Sequence, residues 1–335
     1  MKPEILLLIK EIYRDDFLPD WLWDRLCPLG KVKLVVDPEK LSADKFAGLF
    51  AGKDAVITSW DMPPINRAVL ERADRLKIIS HAGGEMRYFL SEEIFDLKPE
   101  VVVCHAAGMM ALPVAEHTLC VVLACLRSLF HFRRWVSGTE NWWDYDPTKN
   151  RSLVGKKVGI IGLGQIGREF IKLVRPFNVE FLVYSKHLSE EKAAEQRLVK
   201  TGLEEIFSTC DVITLSAADT PENRHLINRD LLRKIKPGAV FVNNARGAIV
   251  DEQALIEELE TGRFMAAIDV TDPEPPEADN QLRSLPNVLL TPHIGGPVPE
   301  QRYWLMEEAV ANLKAFFEGR PVRGIITGER YHYMA

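Results

Sequence analysis

Arg246, Glu274 and His293 are side chains whose types and spacing could do chemistry. Each lies just past an apolar run that reads as a strand. Arg246 sits in Asn243-Asn244-Ala245-Arg246-Gly247, Glu274 in Asp272-Pro273-Glu274-Pro275, and His293 in Thr291-Pro292-His293-Ile294-Gly295-Gly296. In an open α/β sheet, ligands bind beyond the carboxyl ends of the strands. A guanidinium there can orient a carboxylate by a bidentate contact. An imidazole can protonate a developing alkoxide near neutral pH. A carboxylate beside that imidazole would hold it in its charged form. The trio fits hydride transfer to a carbonyl beside a carboxylate. Taken singly, each member has a plainer reading: a solvated arginine, a loop charge between prolines, a structural histidine.

A hydride needs a carrier, and the glycine run Gly162-Leu163-Gly164-Gln165-Ile166-Gly167 points to one. It follows the apolar run 157–161 and precedes residues 168–174, whose apolar positions recur at helical spacing. Strand, G-x-G-x-x-G and helix form the dinucleotide fingerprint. The first glycine permits the tight turn, the second lets backbone approach a pyrophosphate, and the third lets helix and strand pack closely. The helix N-terminus attracts the phosphate charge. Gly162, Gly164, Gln165, Ile166 and Gly167 are therefore candidate cofactor contacts.

Positioning these residues takes two α/β series. Before the glycine run, candidate strands cover 5–9, 32–36, 55–58, 76–80 and 101–104, with helical patterns around 20–27, 43–51 and 65–73. After it come strands over 157–161, 179–184, 211–215, 239–243, 266–269 and 288–290. Such alternation implies parallel sheets covered by helices on both faces. Residues 114–132 are apolar and free of glycine and proline, predicting one long helix with Pro113 in its first turn. A loop carrying Trp142, Trp143 and Tyr145 follows over 137–152. A last helix is expected over 300–318, stopped by Gly319 and Pro321.

The 335 residues suggest about two domains. A net charge of −6 argues against binding nucleic acid or anionic membranes. No run approaches transmembrane length by this reading. The five cysteines show no metal spacing and fit a reducing compartment, so a cytoplasmic protein is expected, without a metal. Cys120 and Cys125, in one apolar stretch, read as core thiols.

The chain resembles the D-isomer-specific 2-hydroxyacid dehydrogenases. The resemblance is carried by residues 158–167, 220–228, 236–255, 266–275 and 289–296, and by Pro113-Val114-Ala115-Glu116-His117-Thr118. It implies a Rossmann-type cofactor domain (105–296) inserted into a flavodoxin-like, split substrate domain (1–104 and 297–335). It further implies that Arg246 orients the substrate, that Glu274 supports the acid His293, and that Asp269 holds the nicotinamide carboxamide. Asp269 could also be a strand-end cap. Ser216 and Ala245 fall in cofactor-lining segments, and the loop His81-Ala82-Gly83-Gly84-Glu85-Met86-Arg87 would hold the substrate carboxylate through Gly83 and Gly84. Glu85 and Arg87 read as solvated loop charges.

The resemblance is broken at the end of the second cofactor strand. There Ser185 and Lys186 stand where NAD-preferring relatives carry an acid. They could meet a 2′-phosphate, so NADP is a candidate beside NAD; Lys186 could equally be a solvated lysine. The resemblance also implies a homodimer built on 114–132 and 137–152, and closure about hinges near 104–106 and 295–299. The expected activity is that of an NAD(P)-dependent reductase of 2-oxo acids or the reverse. The alternative is an NAD(H)-sensing binding protein of the corepressor type.

Overall fold

Ile5 to Ile9 form an unbroken apolar run in β1 (Glu4–Ile9), and every one of these residues is fully buried. Side chains alternate across a strand, so such a run needs cover on both faces. Leu6 and Leu8 join one core with Phe46, Phe50 and Ile79, while Ile5, Leu7 and Ile9 join another with Phe17, Leu22 and Leu305. Each such side chain contributes roughly 1.5–3 kcal/mol by leaving water. Parallel to β1 run β2 (Lys31–Val36), β3 (Ala55–Thr58), β4 (Ile78–His81) and β5 (Val102–His105), in the order β5-β4-β3-β1-β2. That is the flavodoxin-like order, with its switch point between β1 and β3.

The computed structural model describes residues 2–138 and 142–333. Positions 1, 139–141, 334 and 335, which fall in the expected domain ranges and the 137–152 loop, lie outside the described residues. The chain forms two units, Met1–Met110 with Pro297–Ala335, and Ala111–Gly296. The first unit runs past position 104, through the 3-10 turn Ala107–Met110, before the second begins.

The second unit is a seven-stranded parallel sheet of β6 (Lys157–Ile161), β7 (Glu180–Tyr184), β8 (Val199–Lys200), β9 (Val212–Leu215), β10 (Val240–Asn243), β11 (Met265–Ile268) and β12 (Val288–Leu290). Its order, β12-β11-β10-β9-β6-β7-β8, is the Rossmann order with one further strand. The switch point lies between β6 and β9. On one face Phe241 packs with Phe207, Ile213 and Phe264. On the other, Val240 and Val242 meet Val122, Val158 and Phe170. The helix Gln165–Val174 turns Gly167, Phe170, Ile171 and Val174 inward, a single stripe at 3.6-residue spacing.

The expected long helix over 114–132 is two helices, Ala111–Leu126 and Leu129–Gly138. The break is at Ser128, which is buried with φ 49° and donates its hydroxyl to the Lys149 carbonyl at 2.6 Å. A left-handed residue cannot continue a right-handed helix. The stretch Ala107–Leu126 also corrects the reading that no run approaches membrane length. It is long and apolar enough by length and composition, with a mean hydropathy of 1.8, although half of it is buried within the protein. Its Ala115, Val122 and Cys125 belong to the core of the second unit. Cys120 is exposed rather than a core thiol.

The final segment returns to the first unit. The helix Pro299–Phe317 buries Leu305, Met306, Ala309 and Leu313 in its core, and β13 (Ile325–Ile326) pairs antiparallel with β5. Neither β8 nor β13 was expected from the sequence, since two residues are too few to show a period.

Candidate active site

The loop that carries His293 is held by Asp269, through both its carboxylate and its carbonyl. Asp269, the first residue past β11, is buried and accepts three bonds from the loop that follows β12. Its Oδ1 accepts from Thr291 Oγ1 at 2.6 Å and Ile294 N at 2.9 Å, and its Oδ2 accepts from Gly295 N at 2.8 Å. His293 N donates to the Asp269 carbonyl at 2.9 Å. Clamped in this way, His293 keeps a left-handed backbone with φ 53°, a conformation that non-glycine residues adopt only where their surroundings over-determine it. Gly295 is required in the clamp, because a Cβ there would lie 2.8 Å from Asp269 Oδ2 and 3.2 Å from His117 Nδ1.

His293 Nδ1 meets Glu274 Oε1 at 2.5 Å. The other oxygen, Oε2, accepts from Thr271 N at 3.4 Å, and Thr271 Oγ1 donates to the Pro273 carbonyl at 2.8 Å. With Nδ1 facing a carboxylate, Nε2 is the ring atom left to exchange a proton with a ligand. Both side chains are partly open to solvent, at 47% and 40% exposure, so a ligand can reach them.

Arg246 leaves the end of β10 through a turn fixed by Asn243. The Asn243 amide accepts from Ala245 N and donates to the Arg246 carbonyl, both at 3.0 Å. Among the described residues, the guanidinium donates from Nη1 to the Ala245 carbonyl at 2.7 Å. Gly247 locks this turn to the Glu274 loop: any Cβ there would collide with the Thr271 carbonyl. The sequence reading quoted Asn243 and Thr291 without giving them roles; Asn243 bonds the main chain of its own turn, and Thr291 bonds the Asp269 carboxylate 22 residues away.

Each fingerprint glycine has its own reason. Gly162 has φ 95°, and a Cβ there would sit 2.6 Å from Ala217 N. A Cβ on Gly167 would sit 2.7 Å from the Gly162 carbonyl. Around Gly164 a Cβ would meet nothing within 4 Å, so the fold itself does not require glycine there. Open space at the N-cap of the Gln165–Val174 helix, with its free N–H groups, fits a pyrophosphate. Gln165 and Ile166 form that helix's first turn. Ser216 N donates to the Ile161 carbonyl at 2.8 Å beside the same turn. Ser185 is half-buried, and Lys186 is exposed with its Nζ 3.3 Å from Glu222 Oε2.

In the first unit, Gly83 and Gly84 are buried just past β4. A Cβ on Gly83 would collide with the ring of His81, and the Gly84 carbonyl lies 3.0 Å from His105 Nδ1. His81 is wholly buried, its Nδ1 2.9 Å from Thr58 Oγ1. Burial, assisted by the neighbouring His105, pushes the His81 imidazole down to about 3. His105 is lowered as well, chiefly by burial. Glu85 and Arg87 are not solvated charges: Arg87 Nε and Nη2 grip Glu85 at 2.9 and 2.7 Å.

Residues 119–295 match the family model described as "D-isomer specific 2-hydroxyacid dehydrogenase, NAD binding domain". The chain is 33% identical over 276 residues to a hydroxypyruvate reductase of Thermotoga maritima, covering 81% of this chain and 87% of that protein. It is 34% identical over 264 residues to a D-3-phosphoglycerate dehydrogenase of Methanocaldococcus jannaschii, covering 78% of this chain but 49%, about half, of that longer relative. Among solved structures, the TT0316 protein of Thermus thermophilus superposes with a TM-score of 0.80 at 28% identity, covering 96% of this chain and 100% of that one. A matched family model over half the chain, and a clamped histidine–carboxylate pair on the sheet that carries the glycine turn, lead to one conclusion: the chain belongs to the D-isomer specific 2-hydroxyacid dehydrogenase family.

Proposed function

We propose that the chain exchanges a hydride between NAD or NADP and a 2-oxo or 2-hydroxy acid, the D-isomer in the oxidative direction. The observation that carries this reading is the His293–Glu274 contact on a loop clamped by Asp269. When bound, the nicotinamide supplies or accepts the hydride. His293 gives its Nε2 proton to the oxygen that gains charge during reduction and takes it back during oxidation. Glu274 fixes the ring through its contact with Nδ1. Arg246 offers its guanidinium to the substrate carboxylate, and Gly83 and Gly84 are assigned to substrate binding through their backbone.

The cofactor contacts are assigned to Gly162, Gly164, Gln165, Ile166, Gly167, Ser185, Lys186, Ser216, Ala245 and Asp269. Asp269 still has lone pairs for a carboxamide beyond those spent on the loop. Residues 1–104 with 297–335 are assigned as the substrate domain and 105–296 as the cofactor domain, working as a cytoplasmic homodimer. The relatives are named for oxidoreductase activities, which favours catalysis over the corepressor type of NAD(H) sensor. The test is a panel of glyoxylate, hydroxypyruvate, pyruvate and larger 2-oxo acids with NADH and NADPH. Turnover should occur with at least one acid and collapse in His293→Ala. Full turnover in that variant rejects the assigned acid.

A further inference from the structure

The turn after β6 is held from both sides. Gly162 N donates to the Tyr184 carbonyl at the end of β7, at 2.8 Å, and its Cα faces the Ser216–Ala217 backbone just past β9. β7 and β9 are the two neighbours of β6 in the sheet. The loop after β7 carries Ser185 and Lys186. The loop after β9 carries Glu222 in a turn fixed by Asn223, whose Nδ2 donates to the Ala218 carbonyl at 2.8 Å and whose N donates to the Thr220 carbonyl at 2.9 Å. Lys186 Nζ and Glu222 Oε2 meet at 3.3 Å. A cation from one loop and a carboxylate from the other therefore join across the carboxyl end of the strand that leads into the cofactor turn.

Dinucleotide folds of this order place an acid past the second strand to accept from the adenosine ribose hydroxyls, or a cation to meet a 2′-phosphate. Here β7 is followed by Ser185 and Lys186, with no acid. We propose that Glu222 sets cofactor choice, supplying from the loop after β9 the acceptor that the second strand lacks. A carboxylate only accepts, which suits a ribose diol. It also neutralises Lys186, so Lys186 admits NADP without selecting it, while a 2′-phosphate meets a like charge on Glu222. The two side chains are 54% and 62% exposed, so the pair is a weak one that yields readily to a ligand. This inference rests on the reading that the Gly162–Gly167 turn binds a dinucleotide.

The test is calorimetric titration of the wild type, Glu222→Gln and Lys186→Ala with NAD, NADP and the fragment 2′,5′-ADP. Glu222→Gln should weaken NAD and tighten NADP and 2′,5′-ADP, moving the ratio of dissociation constants by about tenfold. Lys186→Ala should weaken only the two ligands that carry a 2′-phosphate. Thermal midpoints should stay with the wild type, because the pair is exposed. A ratio that moves less than about twofold in Glu222→Gln overturns the proposal, as does a wild type that binds NADP more than about tenfold tighter than NAD. Failure of the wild type to bind any of the three ligands overturns the turn's assignment as well, and so is told apart from failure of Glu222 alone.

Discussion

At the scale of single residues, the proposed catalysis rests on one imidazole whose Nδ1 faces Glu274. Glu274→Gln would replace the carboxylate that faces Nδ1 with a neutral amide. Turnover should fall by roughly 10²-fold or more in steady-state assays. Unchanged rates across the pH range would remove Glu274 from the mechanism. Asp269→Asn tests the clamp: one of the Ile294 and Gly295 amides would then face a donor instead of an acceptor, at a cost of about 1–3 kcal/mol. Its kcat should fall more than its thermal midpoint would suggest, because the displaced loop carries His293. Glu274 and His293 were legible in the sequence because both follow apolar runs that could only be buried strands. The clamp was not, since all but one of the Asp269 side-chain partners are main-chain amides, and main chain has no signature in the sequence. The pairing of Glu85 with Arg87 was missed for a related reason: two residues apart in a loop, they meet only because the turn folds back.

Among elements, the cofactor turn separates what the fold needs from what a ligand needs. Gly162→Ala would place a Cβ against Ala217 N at a left-handed φ and should lower the thermal midpoint by several degrees, measurable by calorimetry. Gly164→Ala meets nothing within 4 Å and should melt like the wild type while losing affinity for NAD by an order of magnitude or more. If both variants lose stability equally, the open cradle at Gly164 is not a ligand site. The glycine spacing and a separate reason for each glycine could be read from the sequence; the atoms that a Cβ would strike could not, since at Gly162 they come from the segment after β9. The same holds for the helix break at Ser128: serine is compatible with a helix, and its left-handed turn follows from the Lys149 carbonyl that captures its hydroxyl. Strands with long apolar runs were legible to within a residue or two; β8 and β13 owe their pairing to their neighbours.

For the whole molecule, buried histidines make stability depend on pH. His81 is neutral when folded, held down to about 3, but titrates near 6.5 when unfolded. Below that upper value the unfolded chain binds the extra proton, so stability falls as pH drops from about 6.5 toward 3, by up to about 1.4 kcal/mol per pH unit. Urea denaturation across this range should show the slope, and His81→Gln should flatten it; an unchanged slope assigns the effect elsewhere. Sedimentation at micromolar concentration should report a dimer, and a monomer there removes the assembly from the proposal. The divided first unit also bears on how the chain is made. Its core is closed by Leu305, Met306 and Leu313, and its sheet ends on β13. A ribosome delivering the chain from its N-terminus would therefore release the second unit, which is continuous, in foldable form before the first can be completed. Residues of the first unit up to Met110 would stay unprotected until the segment from Pro297 onward has been made. A chain stopped at Gly296 should yield a protease-resistant second unit and a digestible N-terminal half.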